Sequence, residues 1–193
     1  MKNLAPKAFW ALILSLIILS LLVFLIGNEK LFLFINRQIA HPILDLVVLK
    51  ILIPLFLLLG VVPALMLFFK KYRLRAAGAL FSGPFCYIIG NLIKLLLKVP
   101  RPADILSARV IGPGHVSQYS FPSTTTMLAF GLALPFLIEG KSKWRIFSLI
   151  LAVLVGLSVI YTGYHFPQDV LAGVFFASLL VFLLAEIKKR ILR

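Results

Sequence analysis

Three short patches of this chain carry residues whose types and spacing suit phosphate chemistry. The first is Lys94-x6-Arg101-Pro102. An arginine offers a planar fork to phosphate oxygens and a lysine a point charge, so the pair would make a cationic clamp. A snorkelling lysine beside an interfacial arginine is the plainer reading. The second is Phe121-Pro122-Ser123-Thr124-Thr125. A proline in a first helical turn starts a helix, and the open N–H groups behind it, with the Ser123 hydroxyl, form an anion site. Ordinary capping by hydroxyl side chains is the alternative. The third is Gly163-Tyr164-His165-Phe166-Pro167-Gln168-Asp169. Histidine and carboxylate four apart can meet across one turn, although Pro167 puts the helix start near His165. Asp169 would then fix the imidazole tautomer and leave the other nitrogen to attack, unless it is only a cap beside an interfacial histidine.

The elements that must position these patches are membrane helices. The chain is 62% hydrophobic over 193 residues, well above the ~45–50% of soluble domains. Six apolar segments approach the ~20 residues needed to cross a bilayer: residues 9–26, 42–69, 76–97, 122–138, 146–161 and 167–187. Residues 31–40 form a short mixed segment expected to lie in the interface as a helix. Pro54, Gly60 and Pro63 should kink the second span, and Gly78, Gly83 and Gly90 should let neighbours pack closely on the third. The polar loop of residues 98–121, with Pro100, Pro102, Gly112, Pro113 and Gly114, cannot be one continuous helix. The expectation is an all-α integral membrane protein, a six-helix bundle forming one domain over residues 1–193. Lys2 and Lys7 ahead of an apolar run suggest a signal peptide, but no small-residue cleavage pattern follows, so the run reads as a retained first span.

Net charge is +14. The basic residues sit at the ends of apolar runs, without a stripe interleaved with aromatics, which points to topology and anionic headgroups and away from nucleic acid. Thirteen of the 20 Lys and Arg fall at the two termini and in the second–third and fourth–fifth turns. That bias puts both termini in the cytoplasm and the three patches on the outer face of a bacterial inner membrane. Cys86 is the sole cysteine, which rules out an intrachain disulfide and a cysteine metal site and suggests inert packing. Tyr119, Tyr161 and Tyr164 read as interfacial aromatics.

In this order on one face, the patches resemble the integral-membrane branch of the type 2 phosphatidic acid phosphatase and haloperoxidase superfamily. Its motifs are K-x6-R-P, P-S-G-H and S-R-x5-H-x3-D. The matching stretches are residues 94–102, 122–125 and 158–169, and Asp169-Val170-Leu171-Ala172-Gly173 also looks like the family. The resemblance implies His165 as nucleophile through a phosphohistidine, oriented by Asp169. It implies Lys94, Arg101 and Ser123, with Thr124 at the glycine position, around the phosphoryl oxygens. It implies no metal and no other cofactor. The partner would be a phosphate-bearing lipid of the bilayer, of the classes phosphatidic acid, phosphatidylglycerol phosphate, undecaprenyl diphosphate or lipid A phosphate.

Two positions depart from those motifs. Thr125 stands where the resemblance implies a general-acid histidine, and Val159 where it implies a phosphate-binding arginine. A threonine hydroxyl is too weak an acid for that task, whose loss costs ~10²–10⁴ in rate. Three readings follow: a weakened or inactive form, a diphosphate substrate whose leaving group needs little protonation, or a substitute acid, for which His115 in the same loop is the candidate. A non-catalytic phospholipid-binding protein is the reading from another class. Small-solute transport is disfavoured because no charged pathway crosses the midplane.

Overall fold

The computed structural model describes residues 4–112, 117–139 and 143–191. Among them every regular element is helical. The long helices are α1 (Leu4–Ile26), α6 (Arg73–Leu97), α8 (Thr124–Glu139), α9 (Lys143–Tyr161) and α10 (Pro167–Ile191). Between α1 and α6 lie α2 (Asn28–Leu33), α3 (Pro42–Val47), α4 (Ile53–Phe56) and α5 (Leu58–Met66). Short α7 (Pro102–Ile105) follows α6. Five helical stretches are long and apolar enough to cross a membrane, and α8 is a shorter apolar helix.

α8 is the hub. Residues 129–136 are all buried, and α8 packs on α6, α9, α10, α1 and α5. Its 16 residues span only about 24 Å, and protein rather than lipid surrounds them. The outer helices instead expose large apolar side chains: Phe24 is 75% exposed, Phe68 80% and Leu96 81%. That much outward grease on a stable chain requires a lipid solvent, and the protein is an integral membrane protein.

Small residues set the closest helix approach. A Cβ on Gly131 would lie 2.8 Å from Gly83 Cα and 3.0 Å from the Ser82 carbonyl oxygen. Ser82 Oγ donates to the Gly131 carbonyl at 2.6 Å across this crossing. Gly83 and Gly90 thus act as close-packing positions as expected. Gly78 does not: a Cβ there meets nothing within 4 Å. Cys86 is fully buried in the same core.

The second span is one helical stretch, Pro42–Met66, with irregular turns inside it. It runs as α3, a π-helical turn over Val48–Leu52, α4, a tightened turn at Leu57, and α5. Pro54 lies at the start of α4, while Pro63 lies inside α5, where it removes a backbone donor. Residues 31–40 are mostly helical: α2 continues into a π-helical turn over Phe34–Gln38. Phe32 and Asn36 are completely buried, and Phe32 packs edge-on against Phe166 at 5.2 Å.

Candidate functional site

Alternation of helix direction brings the C-terminal end of α6, the N-terminus of α8, the C-terminal end of α9 and the N-terminus of α10 to one end of the bundle. Lys94, Ser123, His165 and Asp169 therefore meet there, with Arg101 folded in from the loop by α7. Lys94 is 1% exposed, Arg101 9%, Ser123 0%, His165 1% and Asp169 3%. Burying this many ionisable groups is costly unless each is bonded, and each is.

His165 precedes α10 by two residues. Its Nδ1 lies 3.6 Å from Asp169 Oδ2, beyond a hydrogen bond. Ser120 fills the gap: its Oγ donates to Asp169 Oδ2 and lies 3.4 Å from His165 Nδ1. Asp169 Oδ2 also accepts from the Phe166 N–H at 2.8 Å, which caps α10. The pair foreseen across one turn is thus a cluster of three side chains. Burial pushes the His165 pKa down to about 4; the Asp169 carboxylate opposes this, and Lys94 and Arg101 reinforce it.

Both cations are held by main-chain carbonyls. Lys94 Nζ donates to the Tyr119 oxygen at 2.6 Å and the Ser120 oxygen at 3.1 Å. Arg101 donates from Nε and Nη2 to the Ser117 oxygen, at 3.0 and 2.7 Å, and from Nη1 to the Tyr164 oxygen at 2.8 Å. These bonds use two of the three ammonium hydrogens and leave guanidinium hydrogens for an anion. A cavity of about 610 Å³ opens beside Arg101, lined also by Lys98, Asp104, Gln118, Tyr119 and Tyr164.

The helix-start patch differs from expectation in two respects. Helix α8 begins at Thr124, so Pro122 lies outside the first turn and Ser123 is the capping residue, its Oγ accepting from the Thr126 N–H at 3.4 Å. The Ser123 N–H is not open to an anion either, because it donates to the Asp169 carbonyl at 3.0 Å. Thr126 Oγ1 donates to Ser123 Oγ at 2.9 Å, which directs the Ser123 hydroxyl. Thr124 is buried and Thr125 half-buried. Val159 is buried in an apolar cluster with Phe32, Ile160, Phe166 and Val170, and its carbonyl accepts the N–H groups of Tyr164 and His165 at 3.1 and 3.2 Å. His115 lies outside the described residues. Tyr161 and Tyr164 are buried at 6% and 8% exposure, so they serve the protein interior and not an interfacial belt.

The sequence reading missed Ser120 and a second polar network. Asn36 Nδ2 donates to the Arg109 and Tyr161 carbonyls at 2.8 and 2.9 Å, and its Oδ1 accepts the Arg109 N–H at 2.9 Å. Arg109 Nη1 binds both Asp45 oxygens at 2.8 and 2.9 Å, and Tyr161 OH donates to Asp45 Oδ1 at 2.6 Å. Gly163, in the left-handed region at φ +88°, takes a turn that a Cβ would block, since it would lie 2.2 Å from the Arg109 oxygen. Together these fasten the middle of the loop bearing Arg101 to α3 and α9. An aspartate and an asparagine in apolar segments were the available signal.

Gly173 sets the fit of α10 against α8, since a Cβ there would lie 2.8 Å from the Ser123 oxygen and 3.1 Å from Thr126 Cβ. Backbone cannot swing aside, so Gly173→Ala is expected to destabilise the protein by about 1–3 kcal/mol. A lower melting temperature in detergent, read against wild type, checks this.

The family model for the PAP2 superfamily matches residues 74–193. The chain belongs to the PAP2 superfamily. It is similar to an undecaprenyl-diphosphatase of Sulfolobus acidocaldarius, 28% identical over 93% of this chain and 91% of that protein. It is also similar to phosphatidylglycerophosphatase B of Bacillus subtilis, 39% identical over 41% of this chain and 44% of that one. The crystal structure of a PAP2-type phosphatidylglycerolphosphate phosphatase from Bacillus subtilis superposes with a TM-score of 0.64 at 27% identity, over 95% of this chain and 96% of that one. The superfamily assignment and these phosphatase relatives make the chain a membrane enzyme of the lipid-phosphatase class.

Proposed function

We propose that the protein is a lipid diphosphate phosphatase that works through a phosphohistidine at His165. The observation that carries this is the buried cluster of His165, Ser120 and Asp169 with Lys94 and Arg101 within the same end of the bundle. His165 Nε2 attacks the terminal phosphorus, forming an N–P bond. The bond from phosphorus to the bridging oxygen breaks, and the lipid monophosphate leaves with the bonding pair. Water then attacks the same phosphorus, the N–P bond breaks, and inorganic phosphate departs. Lys94, Arg101 and Ser123, with Thr124 beside them, stabilise charge on the transferring phosphoryl. The cavity beside Arg101 receives the headgroup.

A diphosphate suits this chain because Thr125 cannot protonate a leaving oxygen. A departing phosphate monoester is stable as an anion, with its second pKa near ~6, whereas an alkoxide is not. The chain's similarity to an undecaprenyl-diphosphatase along most of its length supports the same class. The reading includes one domain over residues 1–193 with six spans, α8 being the enclosed one, and residues 31–40 as the interfacial helix. Both termini are cytoplasmic in a bacterial inner membrane, and the site faces outward. The competing reading is a lipid-binding homologue without turnover, which Thr125 and the apolar setting of Val159 favour. A phosphate-release screen over lipid mono- and diphosphates separates them. Release from diphosphates alone, or far faster from them, supports the proposal; binding without release at high enzyme supports the other.

The acidity of His165 gives a second test. Neutral imidazole is the nucleophile, and its pKa is down at about 4. With a diphosphate substrate, kcat/KM is expected to hold as pH falls from 7 to about 5 and to drop only as pH passes through about 4. An acid limb centred near the ordinary histidine value of ~6.5 would contradict the assignment.

A further inference from the structure

We propose that the end of the bundle opposite the site binds an anionic phospholipid, with one acyl chain in a cavity between α6, α8 and α10 and the headgroup at the basic helix ends. The cavity measures about 420 Å³, and its lining includes Gly78, Phe81, Pro135, Leu184 and Lys188. It exists because of how the helices cross. α6 and α8 touch at Gly83 and Gly131, backbone against backbone. One and a half turns toward the start of α6, a Cβ on Gly78 would meet nothing, so the helices have parted there. Pro135 and Ala185 are too small to close the gap that α10 leaves. Gly78 and Lys94 are sixteen positions apart on α6, about 24 Å of helix, so this cavity is separate from the phosphate site.

Charge selects the occupant. Lys70, Lys71, Arg73 and Arg75 cluster at the start of α6, and Lys188, Lys189 and Arg190 occupy the last turn of α10. Glu186, the acid on that stretch of α10, is paired with Lys189. Residues on the cavity lining and its approach are open to lipid: Phe81 is 61% exposed, Leu74 60% and Ile191 77%. An apolar slot under a basic rim matches a lipid with an apolar chain and a negative head. A second copy of this chain fits less well, because a two-fold axis along this face would set the basic rims against each other.

The test uses the full chain, purified in detergent and delipidated, with native mass spectrometry after addition of phosphatidylserine or of phosphatidylcholine with the same acyl chains. One phosphatidylserine should be retained per chain, in clear preference to phosphatidylcholine. Gly78→Leu should fill the slot and bring retention to background, with melting in lipid-free detergent no lower than wild type, because a Cβ there meets nothing within 4 Å and leucine favours the helix over glycine. Lys188→Gln should weaken phosphatidylserine about fivefold, the worth of one basic residue at an anionic lipid surface, and leave phosphatidylcholine alone. Arg101→Ala, which alters the anion clamp at the other end, should retain the lipid. Equal retention of the two lipids overturns the proposal. So does loss of binding in Arg101→Ala with retention in Gly78→Leu, or a dimer that Gly78→Leu dissociates. None of these outcomes depends on turnover, so the site can fail while the phosphatase reading stands, and the reverse.

Discussion

Replacing His165 by alanine is expected to lower phosphate release from lipid diphosphates by about 10³-fold or more, because loss of a covalent nucleophile removes the pathway itself. Asp169→Asn should be milder than His165→Ala and should act on kcat. In the proposed mechanism Asp169 acts through the imidazole; its Oδ2 accepts from Ser120 and from the Phe166 N–H and stands 3.6 Å from His165 Nδ1. An amide there would still accept from one donor but would lose the charge that stabilises a histidine cation as the phosphoryl arrives. Trapping with radiolabelled diphosphate, followed by acid-labile label on the protein, checks the intermediate directly. Label in wild type and none in His165→Ala is the expected result. Turnover that survives His165→Ala would remove the assignment.

Thr125→His is expected to raise hydrolysis of lipid monophosphates by about 10²–10³-fold, within the span attributed to a positioned general acid. Diphosphate turnover should change far less, since its leaving group does not need the proton. The ratio of kcat/KM values for a mono- and a diphosphate sharing one lipid tail is the measurement. Thr125 is half-buried in the first turn of α8. Val159→Arg is a different case. Val159 is 6% exposed and packs with Phe32, Ile160, Phe166 and Val170. A guanidinium placed there loses hydration inside an apolar cluster, and a stabilising effect requires that a phosphate meet it. The single change should therefore lower the melting temperature in the absence of substrate and recover part of the loss when phosphate or a phosphate analogue is added. An equal gain on both substrate classes from Thr125→His would contradict the diphosphate reading.

How much of this was legible in the residues follows from what kind of constraint each imposes. The excess of apolar residues, their division into runs and the basic residues between them are local properties, and lipid solvation acts on them segment by segment. The lipid-facing helices and the meeting of Lys94, Arg101, Ser123, His165 and Asp169 at one end therefore follow from the sequence: helices of bilayer length that alternate in direction leave little choice. The motif spacing pointed to the family for the same reason.

Tertiary structure decided the rest. Ser120 is one serine among many until the loop folds back and places its hydroxyl between Asp169 and His165. Arg109 and Tyr161 lie far along the chain from Asn36 and Asp45, and only packing made the four one network. Pro122 looked like a first-turn residue, yet the Ser123 N–H is taken by the Asp169 carbonyl, a contact between two helices that no local signal encodes. Gly78, Gly83 and Gly90 were equivalent as letters. Whether a glycine closes a crossing or opens a cavity depends on where the neighbouring helix runs, which is set by the packing of all the helices together and not by the residue itself.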